Sequence, residues 1–151
     1  MPERETLRRA RKDAAEGKAP TTQAGEFVRE EIEHIRKGKH GARSAKQAIA
    51  IGLSKARRAG VKLPSPDPSR TSKSTRLRAD RDTAAAKHSH KPAANRSRAS
   101  KSALKRESRK AGSHQALSRQ AHSAAATRRR TSRSAAAKKA AKTRKSRRTS
   151  P

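Results

Sequence analysis

Six histidines, twelve carboxylates and 42 lysines and arginines are the side chains of this 151-residue chain that carry charge or move protons; cysteine is absent. Three kinds of chemistry are open to such a set: metal binding, acid–base catalysis and ion exchange. His88-Ser89-His90 has ligand-like spacing. A zinc site needs more donors than two imidazoles, and neither a thiolate nor a third ligand stands nearby, so no metal is expected. His34, His40, His114 and His122 lack the Ser/His/Asp companions, paired carboxylates or glycine-rich nucleotide loop that catalysis would use. The expectation is therefore no enzyme, no cofactor and no small-molecule substrate. Ion exchange remains.

Its carriers are concentrated in the second half. Residues 64–151 hold 26 Lys and Arg against four acids (Asp67, Asp80, Asp82, Glu107), a net charge of 26 − 4 = +22. Residues 1–63 hold 16 basic and 8 acidic residues, net +8, and the two sum to +30. The dense runs are Lys105-Arg106, Arg109-Lys110, Arg128-Arg129-Arg130, Lys138-Lys139, Lys142, Arg144-Lys145 and Arg147-Arg148. Each cation that meets a phosphate releases a condensed counterion, the main source of sequence-independent affinity for nucleic acid. A tail that served only solubility would need far less charge. Nucleic acid is the expected partner. Tyrosine and tryptophan are absent and the single phenylalanine, Phe27, reads as core. Base stacking then lacks its usual platform, which favours backbone contact with duplex DNA over RNA, although arginine stacking keeps RNA open.

Two basic groups lie nearer the N-terminus. Lys39, Arg43 and Lys46 surround a loop, Gly38 to Ser44, that leads into a helix start, where free amides and the dipole favour an anion. The plainer reading is a capped turn between helices. Lys55, Arg57, Arg58 and Lys62 form a patch at a helix end. They complement the negative end of the dipole there, or add a DNA contact. Thr131, Ser132, Thr149 and Ser150 follow basic runs, and phosphorylation of any would add about −2 and weaken DNA binding.

The elements that must position these groups are helical. Residues 2–16 predict a first helix with a weak stripe of Leu7, Ala10 and Ala14, stopped at Gly17 before Pro20. Residues 24–37 predict a second: Ala24, Phe27, Val28, Ile32 and Ile35 recur at three- and four-residue steps, with Glu26, Arg29, Glu30 and Glu33 opposite. Residues 45–59 predict a third, opened by the capping box Ser44 to Gln47 and closed at Gly60 with Val61 folding back on Ala56. Its face of Ala45, Ala48, Ile49, Gly52, Leu53 and Ala56 is small enough to let the second helix come close. Pro64, Pro66 and Pro68 then mark a stiff linker. Beyond it the large aliphatics are Leu77, Leu104 and Leu117, too few to offset chain entropy. Segments 101–111, 114–126 and 135–142 are helix-competent once their charge is neutralised, because alanine dominates them. The expected architecture is a small all-α head over 1–63, a helical hairpin plus an N-terminal helix. A linker over 64–70 joins it to a long, mostly disordered basic tail over 71–151.

The stretches Gly25-Glu26-Phe27-Val28-Arg29-Glu30-Glu31-Ile32 and Lys37-Gly38-Lys39-His40-Gly41, with Lys46-Gln47-Ala48-Ile49-Ala50-Ile51-Gly52-Leu53, are distinctive. They resemble a family of short basic bacterial proteins of unknown function, some labelled DNA-binding. The likeness covers about residues 1–63 and brings no established site residues with it. Residues 70–151 resemble the Lys/Ala/Ser-rich tails of linker histones and bacterial histone-like proteins, but lack the Ser-Pro-basic-basic repeat of some of them.

The function these readings imply is sequence-independent DNA binding, with histone-like compaction or bridging of the chromosome. The expected location is cytoplasmic, on a bacterial nucleoid, or nuclear if the source is eukaryotic. No apolar run has the length of a membrane span. The alternatives are an RNA- or ribosome-associated protein, an adaptor whose acidic face (Glu26, Glu30, Glu33) recruits a protein partner, and a hydrophilic stress protectant.

Overall fold

The computed structural model of the chain describes residues 2–87 and 93–149, with side chains except at 131, 138 and 140–149. His88 and His90 lie outside it. The regular elements among the described residues are all helices, and the chain divides into two compact units, Met1–Leu117 and Ser118–Pro151. None of their helices is long and apolar enough to cross a membrane.

Helix α1 spans Arg4–Ala15, α2 Pro20–Arg36 and α3 Ala45–Arg58. Helix α2 begins at Pro20 rather than at 24. Proline fits the first turn because its missing N–H would have had no partner there. Helix α3 opens as its capping box requires, with the Gln47 amide donating to Ser44 Oγ at 3.2 Å. The Gln47 side chain reaches back one residue further than Ser44 and accepts from the Arg43 amide at 2.8 Å. Gly60, at φ +92°, closes α3, and the Val61 amide donates to the Ala56 carbonyl.

Phe27 lies at the centre of the head with Ala10, Ala24, Ala56 and Val61, flanked by Leu7, Leu53 and Leu63. On α1 the inward residues are Thr6 and Ala10; Ala14, expected in the stripe, is exposed. The small face of α3 does bring α2 close: a Cβ on Gly52 would sit 2.7 Å from Val28 Cα.

Two segments beyond the prolines also pack on the head. Helix α4, Lys73–Ala85, lies against α3 and buries Ala79. Asp82 fastens it, accepting from Ser54 Oγ and from Arg58 Nε, both at 2.7 Å. After α5, Ala94–Arg106, a short 3-10 turn at Arg109–Gly112 docks on α2 and α3. There Ala111 joins a second core with Ile35, Ala42 and Ala48. Helix α6 spans His114–Thr149 and covers the helix-competent segments 114–126 and 135–142. It has no large aliphatic after Leu117. Its order in the free chain rests on alanine propensity against the repulsion of like charges, which agrees with a tail that is mostly disordered when unbound.

Candidate nucleic-acid interface

The loop between α2 and α3 and the segment after α5 meet through their main chains. The Gly41 amide donates to the Leu104 carbonyl at 2.9 Å, and the Ala42 amide to the Ser108 carbonyl at 3.1 Å. Arg36 Nε donates to the Gly112 carbonyl at 2.8 Å. Only glycine fits at 41, because a β-carbon there would collide with the Glu107 carbonyl. The junction leaves a groove of about 560 Å³ lined by Gly38, Lys39, His40, Gly41, Lys105, Glu107, Ser108 and Arg109. Its three cations come from parts of the chain about seventy residues apart, one from the predicted anion loop and one from each of two predicted tail runs.

The other predicted contacts divide. Arg43, Lys46, Arg106 and Lys110 are exposed, as are Arg128, Arg129, Arg130 and Lys139. The side chains of Lys138, Lys142, Arg144, Lys145, Arg147 and Arg148 lie outside the described residues. Arg57 is buried, with Nη2 donating to the Pro64 carbonyl at 3.4 Å. Arg58 pairs with Asp82.

Lys55 does not face outward as a surface patch would. Its ammonium lies 3.1 Å from Glu30 Oε1 and 2.7 Å from Glu31 Oε2, and both carboxylates are buried. The outer face assigned to Glu26, Glu30 and Glu33 is revised accordingly. Glu30 points inward, Glu26 pairs with Arg9 and Arg29, and Glu33 pairs with Lys37. The signal for the buried pair was in the spacing. Glu31 falls four residues after Phe27 and four before Ile35, inside the apolar stripe, and Lys55 falls three after Gly52.

Burial pushes the Glu30 carboxyl up. The Thr6 hydroxyl, the Glu3 amide and the Lys55 ammonium outweigh it and hold the group below its ordinary value. Burial likewise pushes Lys55 down, and Glu31 and Glu30 more than restore it, so its pKa ends raised. Both contributions are in place at neutral pH. That of Glu30 disappears as pH falls below the ordinary carboxylate range, and that of Lys55 as pH rises past the ordinary lysine value.

Glu3 extends the network. Its Oε1 lies 2.8 Å from Lys39 Nζ and 2.8 Å from His34 Nε2, and these hydrogen bonds, that from Lys39 first, lower its pKa from 4.5 to about 2. A lowered carboxyl contributes stability above its ordinary value and loses it as pH falls through the folded one. The tie from the N-terminus to the loop is therefore expected to loosen between pH 4.5 and about 2. Carboxyl carbon shifts followed by NMR measure this. A Glu3 midpoint near 4.5 would mean that the ion pairs do not persist in solution.

Residues 21–66, from α2 through α3 into the prolines, match the model of a family of unknown function (DUF6496). No curated protein and no solved structure matches the chain.

Proposed function

We propose that this chain binds DNA without regard to sequence, by ion exchange along the phosphates, and so compacts or bridges the chromosome. The observation that carries this is the placement of the acids. All four of residues 64–151 fall between 67 and 107, and residues 108–151 hold 14 Lys and Arg with no acid, 14 − 0 = +14. Asp82 lies at a contact with the head, and Asp67 accepts from the Ser69 amide and hydroxyl within its own turn. The C-terminal third has no carboxylate of its own, so a phosphate polymer is its natural counterion.

Two features favour backbone contact over base readout. Phe27, the one Phe, Tyr or Trp of the sequence, is 1% exposed, so a base lacks the usual large aromatic platform to stack on. The groove at Gly38–Gly41 brings Lys39, Lys105 and Arg109 together with one acid, Glu107, and this excess of cations suits a phosphate rather than a base edge.

Competition of the full chain between duplex DNA and structured RNA, at about 0.15 M monovalent salt, tests the reading. Retention on DNA under an equal mass of RNA supports it. Transfer of the chain to RNA moves the function to an RNA-associated role, and failure to bind either removes ion exchange as the activity.

A further inference from the structure

The network of Glu3, Glu30 and Glu31, buried at Glu30 and Glu31 and open to solvent at Glu3, leaves one charge unanswered. Glu3, Glu30 and Glu31 bring three negative charges; Lys39 and Lys55 answer two, −3 + 2 = −1. The remainder faces His34 and His40, whose rings meet edge to face with centroids 6.1 Å apart. The two oxygens of Glu31 have separate neighbours: Oε2 takes the Lys55 ammonium, while Oε1 lies 3.3 Å from His40 Nε2. On the far side of that ring, Nδ1 lies 3.0 Å from the Gly41 carbonyl oxygen. A carbonyl only accepts, so Nδ1 carries the proton. In the neutral ring, Nε2 then aims a lone pair at a carboxylate oxygen, two acceptors face to face. A proton on Nε2 or a metal cation between the two atoms removes the conflict, and the second needs further ligands nearby.

We propose that Glu31, His34 and His40 bind a divalent transition-metal ion, with zinc the best match. One donor atom from each lies within 4.8 Å of the other two. Two imidazoles and a carboxylate form a set that zinc accepts, whereas magnesium and calcium prefer all-oxygen sites. The 3.3 Å between Glu31 Oε1 and His40 Nε2 equals the edge of a tetrahedron built on bonds of about 2.0 Å. The hydrogen bond from His40 Nδ1 to a main-chain carbonyl is the outer support that fixes tautomer and ring plane in ligating histidines. Glu3 Oε1, 2.8 Å from His34 Nε2, stands next to the cluster as a further carboxylate. The ion ties α2 to the loop that presents the Gly41 and Ala42 amides, and so firms the seat of residues 104–112.

The test uses the full, tag-free chain, with zinc affinity read by competition against a chromophoric chelator and geometry by the visible absorption of cobalt in place of zinc. The expected result is one ion per chain. His34→Gln and His40→Gln each weaken it by about tenfold or more and abolish the cobalt bands, while His88→Gln with His90→Gln leaves both unchanged. If His40→Gln disturbs the fold, the unsubstituted chain decides instead, because zinc must shift the NMR signals of the His34 and His40 rings. No zinc binding by the folded chain, or loss of binding in the His88/His90 variant with the His34 and His40 signals unmoved, overturns the proposal.

Discussion

Raising monovalent salt from 50 to 200 mM lowers the affinity of the full chain for duplex DNA by about five powers of ten if about ten phosphates are contacted. Each contact contributes about −0.9 to the slope of log affinity against log salt, so ten give about −9, and a fourfold rise in salt multiplies that by about 0.6. The charge reserve is sufficient: residues 64–151 retain 26 − 4 = 22 cations after every acid there has taken one. Sequence should matter little, since the contacts read phosphate and the one phenylalanine ring is inside the head. Titration of the full chain into labelled duplex at five or six salt concentrations measures the slope. A value shallower than about −3 rejects ion exchange on the scale proposed.

Lys55→Met has the largest expected effect on the head. The substitution keeps the volume of the stem but removes the one ammonium between Glu30 and Glu31, whose side chains are 2% and 1% exposed. Breaking a buried pair by deleting one partner costs about 3–5 kcal/mol, because the carboxylates left behind have little water and have lost the ammonium between them. A helical module of this size has little more than that to lose. Thermal melting followed by circular dichroism should show the head unfolded or melting far lower, while Lys46→Met, at an exposed site on the same helix, should shift the free energy by at most about 0.5 kcal/mol. Removing all three charges together, with Glu30→Gln and Glu31→Gln added, should recover much of the loss, since a buried ion pair replaced whole by neutral groups is close to balance. The opposite outcome has its own signature. If Lys55 served as a phosphate contact, the single variant would melt normally and lower the salt slope by about 0.9.

Helix periods, caps and stops were legible wherever a local rule decided them. The third helix, expected at 45–59, is Ala45–Arg58, because Ser44, Gln47 and Gly60 each act within one turn of their own position. The close approach of α2 was legible for the same reason, since Ala48, Gly52 and Ala56 form a row at fixed spacing. Charge at a core position was harder to read. Glu31 and Lys55 sit on apolar faces, yet a reading by residue type sends both outward, and only the partner across the helix pair shows that each answers the other. The contribution of α4 and of residues 104–112 to the head was least visible. Asp82 and Ala79 carry no apolar period, and Leu77, the obvious anchor, stays 46% exposed. The available clues were compositional: Gly112 is the single glycine after residue 60, and Glu107 the single acid after residue 82.

Main-chain atoms do most of the fastening of residues 104–112 to the α2–α3 loop, with two amides and two carbonyls facing across it. Such a clasp is indifferent to the letters it holds. Lys105 and Arg109 are free to drift among themselves or toward other polar residues without releasing the segment, so a lineage can retune the charge of the groove by point substitution. Position 41 has no such latitude, since any β-carbon meets the opposite carbonyl. Divergent copies of this chain should therefore vary in the clasped segment and hold glycine at its keeper.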